Sequence, residues 1–200
     1  MYKCGLSDFD DAKASVLGDY LPTKLGMEPE EAVVGMALPG DYGGSMLFFF
    51  ENGKAARVEL SAYATTSNRR RLTGAYSDKS PLAALLHLTE DRELVLYSSD
   101  SRALIFSTAL LAPKTTRSTQ GVQVMALKTR GRLAEVRELA DSAITNLGRY
   151  RCRSIPAAGA LLQAEAGDQT PLPGRRSLPP PPPNHPPGEV QDYPDQGEAS

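Results

Sequence analysis

One hairpin pattern occurs twice in this chain of 200 residues, at 46–63 (MLFFFENGKAARVELSAY) and at 94–111 (LVLYSSDSRALIFSTALL). Each copy has an apolar strand, a polar turn opened by Asn52 or Asp100, a basic residue (Lys54 or Arg102), and a returning strand. The returning half recurs a third time at 2–9, where Leu6-Ser-Asp-Phe9 sits against Leu60-Ser-Ala-Tyr63. A repeat of this length signals a propeller or solenoid array, because one such unit cannot bury its apolar face alone. The half-copy at 2–9 reads as a strand without its partner and implies a chain that starts inside a repeat.

Between and after the hairpins the sequence supports further elements. Residues 10–30 are acidic and irregular, with Pro22 and Pro29 arguing against a continuous helix. The apolar run 32–38 suits a buried strand, and Pro39 to Gly44 a turn. Residues 46–50 and 54–60 pair around Asn52-Gly53, since Asn-Gly is the strongest short hairpin signal. Residues 81–88 read as the next apolar strand and 94–108 as the second hairpin. Residues 122–127 and 133–136 read as closing strands around Thr129-Arg-Gly131. Apolar residues at Val136, Leu139, Ala140, Ala143 and Leu147, followed by Gly148, predict a short amphipathic helix. Ten of the 16 prolines lie within 171–200, so this end reads as an extended, disordered tail with little to bury.

Formal net charge is -2, but it is unevenly distributed. Residues 1–51 carry -6, residues 52–134 carry +7 and residues 135–200 carry -3. The basic excess therefore falls on the repeats, where a polyanion would meet it. The candidate contacts are Lys54, Arg57, Arg69, Arg70, Arg71, Arg102, Lys114, Arg117, Lys128, Arg130 and Arg132. They recur just after each hairpin turn and in the connection leaving each hairpin. In a radial array equivalent positions lie on one rim, and phosphate binding draws on many such contacts without reading sequence. The competing reading is a solvated polar face on a protein-interaction propeller. Phe48, Phe49, Phe50, Tyr97 and Phe106 stand among apolar neighbours and are assigned to the core rather than to base stacking.

No catalytic or metal-binding residue is assigned. Cys4 and Cys152 are far apart, and His87 and His185 have no second ligand nearby. Tyr150 lies beside Arg149 but lacks the base or acid cluster that would activate a nucleophile. The Gly-rich stretch 40–45 has neither a following Lys nor a helix to open, so it is a turn and no phosphate cradle. With no signal pattern and no apolar run of membrane-spanning length, the expected location is cytoplasmic, without a membrane partner.

With hairpins and connections laid out, Asn52-Gly53-Lys54, the exits Arg69-Arg-Arg-Leu-Thr-Gly74 and Arg117-Ser-Thr-Gln-Gly121-Val122, and the looser Asp100-Ser101-Arg102 carry a family likeness. The chain resembles the C-terminal DNA-wrapping domain of DNA gyrase A and its counterpart in topoisomerase IV, over about residues 1–136. The resemblance implies an all-β, partial β-pinwheel of about two and a half four-stranded blades, to which spacing and composition add the short C-terminal helix and the disordered Pro-rich tail. The implied division is 1–30 for the end of a preceding blade, 31–76 for a blade and 77–136 for the last blade. Residues 137–165 follow as helix and tail segment, and 166–200 as the disordered tail. It also implies an outer rim that binds and bends duplex DNA. The implied partners are the ATPase subunit of such an enzyme and the rest of its gyrase A or topoisomerase IV chain. No cofactor is implied in this chain: Mg²⁺ and ATP serve the parent isomerase elsewhere. The chain departs from the family in its blade number and in lacking the Gln-rich double-glycine box used for chiral wrapping.

Overall fold

The two hairpins form the centres of two four-stranded antiparallel sheets. The computed structural model describes residues 1–9, 11, 13, 17–65 and 70–163. The proline-rich tail 166–200 and Arg69 lie outside the described residues. In chain order the strands are β1 (Ser45–Phe50), β2 (Lys54–Glu59), β3 (Leu82–Leu88), β4 (Glu93–Ser98), β5 (Arg102–Ser107), β6 (Val122–Gln123), β7 (Leu133–Glu138) and β8 (Ala160–Leu161). Sheet 1 has the order β3-β1-β2-β6 and sheet 2 the order β7-β4-β5-β8. Two short helices, α1 (Leu21–Leu25) and α2 (Leu147–Tyr150), complete the regular structure.

The central strands are apolar on both faces because each sheet is covered on both sides, which removes the usual in-out alternation. All six residues of β1 are buried. Leu47, Phe49 and Ala55 of sheet 1 pack against Leu94, Leu96, Leu104 and Phe106 of sheet 2, forming the core between the sheets. There Phe49 meets Phe106 edge-on, ring centroids 6.0 Å apart. Phe49 faces Ala55 on one side and Ala84 on the other, so small neighbours leave room for the large ring. A fully buried Phe contributes about 2 to 3 kcal/mol relative to an exposed one. The opposite face of sheet 1, with Met46, Phe48, Phe50 and Val58, is covered by Tyr63, Ala75, Met1 and Leu72. The opposite face of sheet 2 is covered by the C-terminal segment through Leu139, Ile144, Leu147, Tyr150 and Leu162. The assigned core role of the aromatics therefore holds.

The sheets do not follow contiguous stretches of sequence. β3, placed by sequence at the head of the second copy, pairs with β1 of the first. β6 comes after the second hairpin yet returns to β2, with Ala55 opposite Val122. Val122–Gln123 and Leu133–Glu138 do not close around one turn, as their spacing suggests; they belong to different sheets. Residues 136–147 do not form the helix that their apolar spacing predicts. β4 takes the first part as strand β7, with Leu96 opposite Val136, and a 3-10 turn at Leu139–Asp141 follows. The helix is confined to Leu147–Tyr150, capped by the Asn146 side chain.

The N-terminal expectations also change in detail. Residues 2–9 form a single antiparallel bridge from Tyr2 to Arg71, then a 3-10 turn at Leu6–Asp8. That turn is the true repeat, since 3-10 turns also follow β2 at Leu60–Tyr63, β5 at Thr108–Leu110 and β7 at Leu139–Asp141. Residues 32–38 are not a buried strand: Val34, Met36 and Leu38 are 61%, 77% and 70% exposed.

Returning strands enter through glycines. Gly121 has φ +72, and a Cβ there would sit 2.1 Å from the Ala55 carbonyl oxygen; Gly159, φ +67, would meet the Ala103 carbonyl at 2.5 Å. Gly74 has φ +60 with open space around it. Gly74→Ala therefore carries only the left-handed backbone term, about 1 kcal/mol, whereas Gly121→Ala adds a backbone collision and should cost about 3 kcal/mol or more. Denaturant unfolding of both variants measures the difference; equal losses would exclude the close-approach explanation. Burial pushes the Tyr63 phenol, whose hydroxyl donates to the Ala75 carbonyl at 2.7 Å, and also that of Tyr97, above the ordinary tyrosine range. Free tyrosines ionise near pH 10, so this stability is full below that pH and declines as pH rises above it. Tyr63→Phe should make the alkaline decline shallower in a pH series of unfolding midpoints.

Candidate nucleic-acid interface

Each hairpin turn is crossed by chain arriving from further along the sequence. Val124 and Met125 N–H groups both donate to the Gly53 carbonyl at 3.0 Å, and Leu133 N–H donates to Glu51 at 2.8 Å. Ser99 N–H donates to the Arg132 carbonyl at 2.9 Å, while Arg132 N–H donates to Ser99 Oγ at 3.1 Å. The loop 126–132 is thus fastened to the turns of both sheets. Within it Gly131 N–H closes a turn on the Lys128 carbonyl at 2.8 Å, and Arg130 takes φ +67.

This loop brings Lys128, Arg130 and Arg132 to the turn edge, all exposed and none in an ion pair among the described residues. Lys54 joins them at the start of β2, opposite Gln123. Glu51 is the acidic side chain next to the first turn at this edge. Close, unneutralised cations in water contribute to a polyanion site through counterion release.

The other candidates occupy different surroundings. Arg57 ties the sheets together: its Nη1 lies 2.7 Å from Asp91 and donates to the carbonyls of Thr108 at 3.2 Å and Leu111 at 3.3 Å, while Nε donates to Ser45. Arg102 donates to the Gly159 carbonyl at 2.9 Å and lies 3.4 Å from Asp100. Arg117 lies over the Tyr63 ring, 6.0 Å from its centroid. Arg71 pairs with Glu31 at 2.8 Å and Glu28 at 3.8 Å, and Arg70 approaches Asp8 at 4.0 Å. Lys114 is exposed beside the far end of β2, bridged to Val58. Sequence identified these charges; it missed most of their acidic and carbonyl partners because, Asp100 beside Arg102 apart, those come from distant positions.

Tyr150 is 6% exposed and anchors the C-terminal segment, its hydroxyl 3.3 Å from both the Leu161 carbonyl and Gln163 N. A surface cleft of about 340 Å³ is lined by Gly74, Tyr76, Ser77, Asp78, Lys79, Ser118 and Gln120, with one carboxylate and no histidine. Among the described residues no cluster of three metal-ligating side chains occurs, and no helix is long and apolar enough to cross a membrane.

The contrast within the basic set is measurable. Arg57→Ala removes two carbonyl bonds and an ion pair between the sheets and should destabilise by about 2 kcal/mol. Lys128→Ala, on the open edge, should change stability by less than about 0.5 kcal/mol. Similar losses from the two, read by thermal unfolding, would contradict the division into fastening and exposed cations.

No family model and no curated protein matches the sequence. Among solved structures, the chain is similar to the C-terminal domain of DNA topoisomerase IV at 21% identity and a TM-score of 0.61, covering 69% of this chain and 43% of that one. Shorter alignments relate it to the DNA gyrase A C-terminal domain (23% identity, TM-score 0.38, 48% and 31% covered) and the E. coli ParC C-terminal domain (12%, 0.39, 50% and 41%). The fold assignment rests on the first of these, and the chain spans less than half of that domain's length. This all-β chain of paired four-stranded sheets has the fold found in the C-terminal domain of DNA topoisomerase IV.

Proposed function

We propose that this chain binds duplex DNA without sequence preference, through the edge carrying Lys54, Lys128, Arg130 and Arg132. The observation that carries this reading is the loop 126–132, which holds three cations without an ion pair among the described residues across the turns of both sheets. A loop fastened at both ends presents its charges in fixed spacing, which suits a regular row of phosphates. Its fold, shared with a topoisomerase IV C-terminal domain, supports the same reading. In this reading the chain serves a type IIA topoisomerase of the gyrase A or topoisomerase IV kind in the cytoplasm. It holds and bends DNA. ATP hydrolysis takes place in the ATPase partner, and Mg²⁺-dependent cleavage in the rest of the gyrase A or topoisomerase IV chain. Smooth bending of a short site costs about 1 to 6 kcal/mol, so several phosphate contacts must act together.

A protein-interaction domain with an incidental basic edge is the second reading, favoured by the exposed apolar side chains of Val33, Val34, Met36 and Leu38. The two readings separate in a duplex-binding titration against salt. For the DNA reading, log affinity falls linearly with log salt, and the triple change Lys128→Gln, Arg130→Gln, Arg132→Gln lowers that slope by about 2 to 3. Arg70→Gln with Arg71→Gln, positions already faced by acids, should lower it by less than about 1. Binding that is absent, or indifferent to salt, refutes the DNA reading.

A further inference from the structure

Residues 89–92 are the covalent link between the sheets, running from the end of β3 in sheet 1 to the start of β4 in sheet 2. Thr89, Glu90 and Asp91 are exposed, and short exposed links are where packed bodies hinge. This link is tethered on both sides. Asp91 Oδ1 accepts from Arg57 Nη1 of β2 at 2.7 Å and from the Thr108 hydroxyl, just past β5, at 2.9 Å. The Thr108 hydroxyl accepts in turn from Arg92 N–H at 3.0 Å, and Thr108 N–H donates to the Arg92 carbonyl at 2.9 Å. Thr108 is wholly buried, and its hydroxyl both donates and accepts, which fixes its orientation. One carboxylate oxygen thus joins a strand of sheet 1, a strand end of sheet 2 and the link between them.

This junction has leverage over the opposite edge. The core between the sheets is close-packed around Phe49 and Phe106 and resists sliding, so the angle between the sheets is set by what fastens their ends. Loop 126–132 fastens the turn end, and Arg57, Asp91 and Thr108 fasten the other. A tilt that opens one end alters the separation at the other. Lys54 opens β2 beside the first turn, and Arg132 is bonded to Ser99 of the second. The angle between the sheets therefore sets the spacing of their charges.

We propose that Asp91 is a positioning residue for DNA bending: by holding Arg57 and Thr108 together it fixes the angle between sheets 1 and 2, and with it the curvature imposed on a duplex along the turn edge. This rests on the DNA reading above. Asp91 carries the charge that phosphate repels, so electrostatics alone would make its removal favour DNA. Positioning gives the opposite result, a chain that still binds DNA but bends it less.

The test uses the full chain with spin labels on p-acetylphenylalanine in place of Ser61 and Ala109, exposed residues just past β2 and β5. Pulsed electron paramagnetic resonance then reads the distance between the sheets. Asp91→Ala should widen the distance distribution at least about twofold, and Thr108→Val, which removes the hydroxyl from the same junction, should do likewise. Glu90→Ala removes a neighbouring carboxylate that has no ion pair among the described residues, and should leave the width unchanged. Unchanged amide exchange in β1 and β4 shows that each variant folds. On a duplex of about 30 base pairs labelled at both ends for energy transfer, Asp91→Ala at saturation should lower the bend by about half. Its slope of log affinity against log salt should stay within about 0.5 of the unsubstituted chain, because the cations are intact. An unchanged distance distribution, an unchanged bend, or equal effects from Glu90→Ala would each overturn the proposal and leave the DNA reading standing. An unsubstituted chain that binds no duplex overturns both.

Discussion

The structure depends on the return of β6 to β2. Ala55 and Val122 pair across an interval of sequence that contains the whole second hairpin, so sheet 1 is incomplete until the chain has built the centre of sheet 2. The return is sterically demanding: it needs Gly121 in the left-handed region against the Ala55 carbonyl. It also brings Val124 and Met125 over the first turn and into the core between the sheets. Arg57 fastens the opposite end by bonding to Thr108 and Leu111. The sheets are therefore interlocked at both ends, and the contacts that hold them are mostly distant in sequence, which favours slow, cooperative folding.

What could be read from sequence follows from how local each interaction is. The hairpins were legible because Asn52-Gly53 and the flanking apolar strands act over a few residues. The exit glycines were legible as a pattern, although the reason for Gly121, a carbonyl in the way, required the neighbouring strand. β6 and β8 carry no periodicity, since two paired residues cannot show one. The stretch 136–147 satisfies a helical spacing, yet pairing with β4 places Val136 opposite Leu96 and Arg137 opposite Val95. Sheet partners override local preference there, as they do when burial is set by tertiary contacts.

The candidate interface shows the same division. Charge could be counted from sequence, but a cation acts at a surface only if nothing nearby neutralises it. Arg57, Arg71 and Arg102 each meet a carboxylate brought in from elsewhere in the fold or, for Arg102, from the same turn. Among the described residues Lys128, Arg130 and Arg132 meet none, and they share a loop whose ends are tied to different sheets. The apolar run 32–38 is the mirror case: its hydrophobicity was plain, whereas the structure leaves Val34, Met36 and Leu38 exposed.

The fastening of loop 126–132 has a mechanical consequence. A ligand that pulls outward on Lys128 or Arg130 does not peel one strand from a sheet edge, a mode in which hydrogen bonds break one after another. The load passes at once through the Gly53 and Glu51 carbonyls into the first turn and through Ser99 into the second. Both sheets then resist together through their shared core. A stiff polymer that springs back when curved would be held by such a double anchorage with little give in the protein.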